Sequence, residues 1–297
     1  MLSPTAVLID AGTRPIALLG DPVAHSLSPL IHNTGFRTQG LNYVYLACRV
    51  PSEALSEAIA GLRALGFAGA NVTIPHKEAV VPLLDRCTPR AQAIGAVNTI
   101  VCLTNVQGKT ELLGDNTDVE GFLAPLRPFL PSLEGGEAVV FGAGGAARAV
   151  VYALLTHMHP SRLTLLVRNL QRGEALATDM APYDSRKALR VVAYADGRSK
   201  VRTAHLIVNA TPVGMHPHDE ETPWPHAEDF SAGQLVYDLI YNPLQTRLLR
   251  EAAARGAITL GGLAMLLGQA AAAYKEWTGQ DFPFEAVRAV LQSSPGS

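Results

Sequence analysis

Short apolar runs alternate along this chain with longer stretches whose apolar residues recur every three or four positions. That contrast separates buried strands from amphipathic helices. The rhythm is strictest after Ala138. Apolar runs at 138–141, 162–167, 188–194, 204–210, 234–240 and 257–260 predict strands, with helices after the first two and a further helix at 246–255. Alternation of this kind predicts a parallel doubly wound sheet. The earlier pattern is less regular. It predicts strands at 15–20, 41–50 and 67–72, and a hairpin of 98–104 with 110–114 around the Gly-containing turn 105–109. Helices are expected at 28–39, with Ser28 as cap and Pro29 in the first turn, and at 52–65, capped by Ser52. Short helices are expected at 77–85 and at 89–96, the latter capped by Thr88. A helix over 117–130 should bend or break at Pro125 and Pro128. The last helix covers 263–274, and the Ser/Pro/Gly tail after Gln292 should fray. The loop 216–226, rich in Pro, His and acids, is expected to be exposed and mobile.

Length turns this pattern into a domain expectation. At 297 residues the chain exceeds what one core usually serves, so two domains are expected, divided between Asp118 and Pro131. The composition, 48% hydrophobic and 17% charged, is that of a globular protein. A net charge of −2 without a Lys/Arg run argues against nucleic acid or an anionic membrane as partner. The stretch 138–155 is interrupted by glycines and Arg148, so it reads as strand–turn–helix and not as a membrane span. The N-terminal segment has no basic run ahead of an apolar one, so no signal peptide is expected. Cys48, Cys87 and Cys102 lack metal-like spacing and read as buried free thiols of a reducing cytoplasm. His157/His159 and His216/His218 lack partner ligands at metal-site spacing, and no metal is expected.

Candidate chemistry concentrates in a few segments. Gly142-Ala143-Gly144-Gly145-Ala146-Ala147 follows an apolar strand and opens a helix, the context in which a dinucleotide pyrophosphate docks. The next strand ends in Val167-Arg168-Asn169-Leu170-Gln171-Arg172, with no acid before Glu174. An acid there would accept from a ribose 2′-hydroxyl; arginines suit a 2′-phosphate, so NADP is favoured over NAD. Otherwise the two arginines are a solvated surface pair. Asn71-Val72-Thr73-Ile74-Pro75-His76-Lys77 gathers amide, hydroxyl and ammonium groups at a strand end. Lys77 at the start of its expected helix would oppose the helix dipole, which hints at a use beyond surface charge. Gly114-Asp115-Asn116-Thr117-Asp118 places a carboxylate at another strand–helix junction. A lysine and an aspartate in one cleft could move a proton on and off a substrate hydroxyl. Ser26 and Ser28 offer hydroxyls before a helix, as a cap or as a seat for a carboxylate. Asn209–Met215 closes a strand at the sheet edge where loops meet ligands.

Taken together these segments resemble the shikimate dehydrogenase family. The likeness runs from Ile16 to about Gln269. Besides the segments above it rests on Ala96-Val97-Asn98-Thr99, Asp238-Leu239-Ile240-Tyr241-Asn242-Pro243 with Thr246, and Gly262-x-x-Met265-Leu266-x-x-Gln269-Ala270. The resemblance implies an α/β substrate domain, 1–117 with 260–297, and a Rossmann domain, 118–259, that binds NADP. The site would be the cleft between them. It implies reversible NADPH-dependent reduction of 3-dehydroshikimate to shikimate, in aromatic amino-acid biosynthesis. Ser26 and Ser28 would hold the carboxylate, with Thr73 and Tyr241 near it. Asn71, Lys77, Asn98, Asp118 and Gln269 would contact the ring hydroxyls, Lys77 and Asp118 being the catalytic pair. Gly142, Ala143, Gly144, Gly145, Ala146, Arg168, Asn169, Arg172, Asn209, Thr211 and Gly262 would bind the cofactor. One departure stands out: the family's Asn-Arg-Thr is Val167-Arg168-Asn169 here, which keeps the arginine and changes its polar neighbours. A quinate-accepting dehydrogenase of broader cofactor use, and a non-catalytic NADP-binding regulator, are the alternatives on the same scaffold. The expected protein is cytoplasmic, a monomer or homodimer.

Overall fold

The computed structural model describes residues 9–293; the expectation of a frayed tail falls mainly on 294–297, outside the described residues. The chain divides into two compact units. One comprises 1–92, 96–117 and 270–297, the other 93–95 and 118–269.

The first unit is built on six strands: β1 Arg14–Gly20, β2 Tyr43–Arg49, β3 Gly69–Val72, β4 Arg86–Cys87, β5 Thr99–Thr104 and β6 Thr110–Asp115. Their order is β2-β1-β3-β5-β6-β4. β1 is parallel to β2 and β3, while β5 runs antiparallel to β3 and β6. Ile16–Gly20 are all buried, which is why β1 reads as a continuous apolar run and not as an alternation. Leu19, Val72, Ile100 and Leu112 pack with Leu55, Ile59 and Leu62 of the helix Leu55–Ala64. Elsewhere in the unit His32, Phe36, Tyr45, Tyr274 and Trp277 form an aromatic cluster. The Trp277 indole donates to Ile100 O at 2.9 Å.

The second unit is a parallel sheet of β7 Glu137–Phe141, β8 Arg162–Val167, β9 Leu189–Ala193, β10 Leu206–Asn209, β11 Leu235–Asp238 and β12 Ile258–Leu260. The order β12-β11-β10-β7-β8-β9 reverses direction at β7. This is the doubly wound sheet that the apolar rhythm predicts. Val139, Phe141, Ile207 and Val236 pack against Leu248, Leu249 and Ala252 of the helix Arg247–Ala254.

Several local expectations change. No α-helix covers 77–85. His76 O accepts from Val80 N in a single turn, Pro82 then removes a donor, and only a short 3-10 turn, Val81–Leu83, follows. Lys77 therefore opens no α-helix, and the dipole argument for it lapses. Ser28 does not cap its helix; Leu27 is the cap residue and Ser26 Oγ accepts from Ser28 N at 3.2 Å. Ser52 lies inside a 3-10 turn after Pro51 and makes no cap either. The helix over 117–130 does break around Pro128, as expected, into Asp118–Leu126 and Leu130–Leu133, but Pro125 lies inside the first piece without ending it. Trp224 anchors the end of the loop 216–226, buried against Phe141 and Tyr194, so that loop is not exposed throughout.

Candidate active site

In the second unit the expected dinucleotide cradle lies at the reversal point of the sheet. β7 ends at Phe141, and the turn through Gly142 leads to the helix Gly145–Ala153. Gly142 has φ +102°, and a Cβ on it would lie 2.8 Å from Thr211 Cγ2. Glycine is required there by conformation and by space. Gly144 is the helix cap residue and no side chain caps the helix, so its first N–H groups are left for another acceptor. The loop after β10 reaches the same point: Ala210 N bonds Phe141 O at 3.1 Å. A glycine turn, an uncapped helix start and a crevice at the reversal of strand order fit a dinucleotide pyrophosphate.

At the end of β8, Arg168 is exposed and makes no ion pair among the described residues. Asn169 caps the helix Leu170–Met180 by accepting from Arg172 N at 3.1 Å. The Asn169 side-chain oxygen thus has a structural use, while Arg168 presents its guanidinium to solvent. Such a surface fits a 2′-phosphate. Asn209, fully buried, donates to Asp238 Oδ1 at 3.0 Å and accepts from Thr211 N and Oγ1. It shapes the Thr211 loop from within. Gly262 permits close backbone approach, since a Cβ there would lie 2.1 Å from Leu239 O. Tyr241 is half-buried in the segment after β11. Asp118 is buried at the first turn of Asp118–Leu126, where the dipole favours a carboxylate. Gln269, half-buried, donates to Leu266 O.

In the first unit, Asn71 at the end of β3 belongs to a buried polar network. Its amide donates to Asn98 O at 3.0 Å and Thr99 Oγ1 at 3.2 Å, and its Oδ1 accepts from Tyr45 Oη at 2.7 Å. Asn98 Oδ1 accepts from Thr117 N at 2.7 Å and from both threonine hydroxyls. Sequence reasoning singles out Asn71 and Asn98; it gives Tyr45, Thr99 and Thr117 no site role. Asp115 is held by Thr88, which the sequence marks only as a helix cap, and by Arg90, which passes unremarked. The segment after β3 is pinned by its backbone: Thr73 N bonds Leu19 O and Val97 N bonds Lys77 O. His76 is buried, with Nε2 2.7 Å from Val50 O, so it anchors the segment while Lys77 beside it is half-buried. Thr73 is half-buried, Ser26 half-buried and Ser28 buried. The first unit thus carries Ser26, Ser28, Asn71, Thr73, Lys77 and Asn98. The second carries Asp118, Tyr241, Gln269 and every cofactor candidate.

A Rossmann-type nucleotide unit joined to a second α/β unit rich in ordered polar groups is the architecture of a dinucleotide-linked oxidoreductase. Residues 18–100 match the family model for the shikimate dehydrogenase substrate binding domain, and residues 262–292 that for the shikimate 5′-dehydrogenase C-terminal domain. A shikimate dehydrogenase (NADP+) of Salinibacter ruber is 55% identical over 287 residues, 96% of this chain and 99% of that one. A crystal structure of a shikimate dehydrogenase with NADP+ superposes with a TM-score of 0.87 at 37% identity, covering 99% of this chain and 100% of that one. The Thermus thermophilus enzyme in complex with NADP(H) and shikimate gives 0.80 at 40% identity, covering 94% and 99%. The chain belongs to the shikimate dehydrogenase family, NADP-dependent oxidoreductases acting on a CH–OH group.

Proposed function

We propose that the protein interconverts shikimate and 3-dehydroshikimate with NADP. The first unit, with the end of the chain, binds the acid, and the second binds the cofactor. NADP supplies or receives the hydride at the ring carbon. Lys77 handles the hydroxyl proton, donating it as the ammonium to the forming alkoxide in the reducing direction, with Asp118 as its catalytic partner. Ser26 and Ser28 hold the carboxylate, with Thr73 and Tyr241 near it. Asn71, Asn98 and Gln269 address the ring hydroxyls. The observation that carries this reading is the buried network on Asn71 and Asn98, because it fixes polar groups beside the pinned Lys77 segment before any ligand arrives. In the second unit Gly142, Ala143, Gly144, Gly145 and Ala146 receive the pyrophosphate, and Arg168 and Arg172 the 2′-phosphate. Asn169, Asn209, Thr211 and Gly262 shape that surface. The protein is a cytoplasmic monomer or homodimer that needs no nucleic acid.

The test is a spectrophotometric assay with shikimate and with quinate, each with NADP and NAD. Turnover of shikimate with NADP is expected to exceed the other three combinations. Preference for quinate would move the protein to a broader dehydrogenase, and NADP binding without turnover would make it a regulator.

A further inference from the structure

At the C-terminal ends of β10 and β11 one buried carboxylate holds two loops. Asp238, fully buried, closes β11. Its Oδ1 accepts from Asn209 Nδ2 at 3.0 Å and from Ile240 N at 3.1 Å. Its Oδ2 accepts from Thr246 Oγ1 at 2.7 Å. Asn209 passes the restraint on: its Oδ1 accepts from Thr211 N at 3.0 Å and Thr211 Oγ1 at 2.7 Å, and Thr211 Oγ1 accepts from Val213 N at 3.2 Å. The Thr211 methyl is the group that a Cβ on Gly142 would strike. On its other side Asp238 fixes the backbone one residue before Tyr241, and Thr246 caps the helix Arg247–Ala254.

This is an expensive way to fix two loops. Burial pushes the Asp238 carboxyl up to about 6, against the donors that favour its charge. At neutral pH the fold therefore carries an ionised group that its surroundings disfavour, and a hydrophobic residue would pack there without that cost. What a hydrophobic residue lacks is the ability to accept from Asn209, Ile240 and Thr246 at once.

We propose that Asp238 is a positioning residue for the reaction: through Asn209 it sets the Thr211 loop against the glycine turn, and through Ile240 it sets the segment carrying Tyr241. It touches neither ligand. Its role rests on the reading of the Thr211 loop as part of the cofactor surface.

The test compares Asp238→Ala, Asp238→Asn and Thr246→Val. Three quantities are measured: amide hydrogen exchange of Thr211 and Val213 in the ligand-free protein, Kd for NADP+ by calorimetry, and KM and kcat with shikimate. Asp238→Ala is expected to speed exchange at both amides and weaken NADP+ by about ten-fold or more, the scale of one lost buried hydrogen bond. Asp238→Asn keeps an oxygen facing Asn209 and Ile240, and is expected to restore protection and Kd to near wild type. Thr246→Val is expected to lower Tm and leave Kd unchanged. The proposal is overturned if Asp238→Ala lowers only Tm, if Asp238→Asn is as impaired as Asp238→Ala, or if Thr246→Val weakens NADP+ equally. Should Asp238→Ala fail to fold, Asn209→Ala breaks the same relay from its other end, removing the bonds to Asp238, Thr211 and Val213 together while leaving Ile240 and Thr246 on Asp238, and carries the same expectations. Exchange needs no ligand, so it tests Asp238 even if the wild type binds no NADP; that failure would count against the functional reading instead.

Discussion

His32 and Lys77 illustrate two opposite fates of a basic side chain. His32 is fully buried among Tyr45, Tyr274 and Trp277, with no hydrogen-bond partner on either ring nitrogen. Burial pushes its pKa down to about 3 from 6.5. A depressed base stabilises the fold above its unfolded pKa, and that contribution is lost as pH falls through 6.5 toward 3. It amounts to up to about 5 kcal/mol at 1.36 kcal/mol per unit. His32→Phe should therefore flatten the loss of stability in that window without harming it at pH 8, as denaturant titrations across pH would show. An unchanged pH slope would sink the idea. Lys77, by contrast, stays half-buried on a segment whose neighbours are pinned. Lys77→Ala should fold normally and lose about 10²–10⁴-fold in kcat, the usual contribution of a proton-transfer group. A kcat within a few-fold of wild type would remove Lys77 from that role. Both residues stand in plain view in the sequence, yet only Lys77 has a signal there. The surroundings of His32 come from residues up to 250 positions away, at Phe282.

Among the elements, the four central strands of the second unit, β7, β8, β10 and β11, were legible because they are buried on both faces and read as nearly unbroken apolar runs. Caps were not. Ser28 and Ser52 have the right chemistry, but the backbone starts each helix elsewhere. The polar network on Asn71 was half legible: the asparagines lie in dense polar motifs, whereas Tyr45 hides in an apolar strand 26 residues away. At the end of β8, Arg168→Asp should weaken NADP far more than NAD, since it sets a negative charge against the 2′-phosphate and offers an acceptor to a 2′-hydroxyl. Equal changes in the two KM values would show that Arg168 does not read the 2′ position. Replacing Ser26 and Ser28 together by Ala should raise KM for shikimate with only a small fall in Tm, because the Ser28 side chain caps nothing and the bond lost is the long one from Ser28 N to Ser26 Oγ. A lowered melting point at constant KM would assign the pair to structure alone.

For the whole molecule, chain order and spatial grouping disagree. The second unit takes one long continuous stretch, 118–269, with only 93–95 added. The first unit is completed by residues from 270 onward. Trp277 donates to Ile100 O, Tyr274 Oη donates to Gln39 Oε1 at 2.7 Å, and Tyr43 Oη donates to Trp277 O at 3.2 Å. During synthesis, then, the part made first cannot finish its aromatic core until the last helices leave the ribosome, while the part made second can close as soon as its own stretch emerges. Nascent chains stalled once Gln269 has cleared the ribosome, with the residues beyond it still inside, should give a protease-resistant fragment starting near residue 118, with the preceding segment still digestible. The residues made earliest would thus spend longest in reach of chaperones.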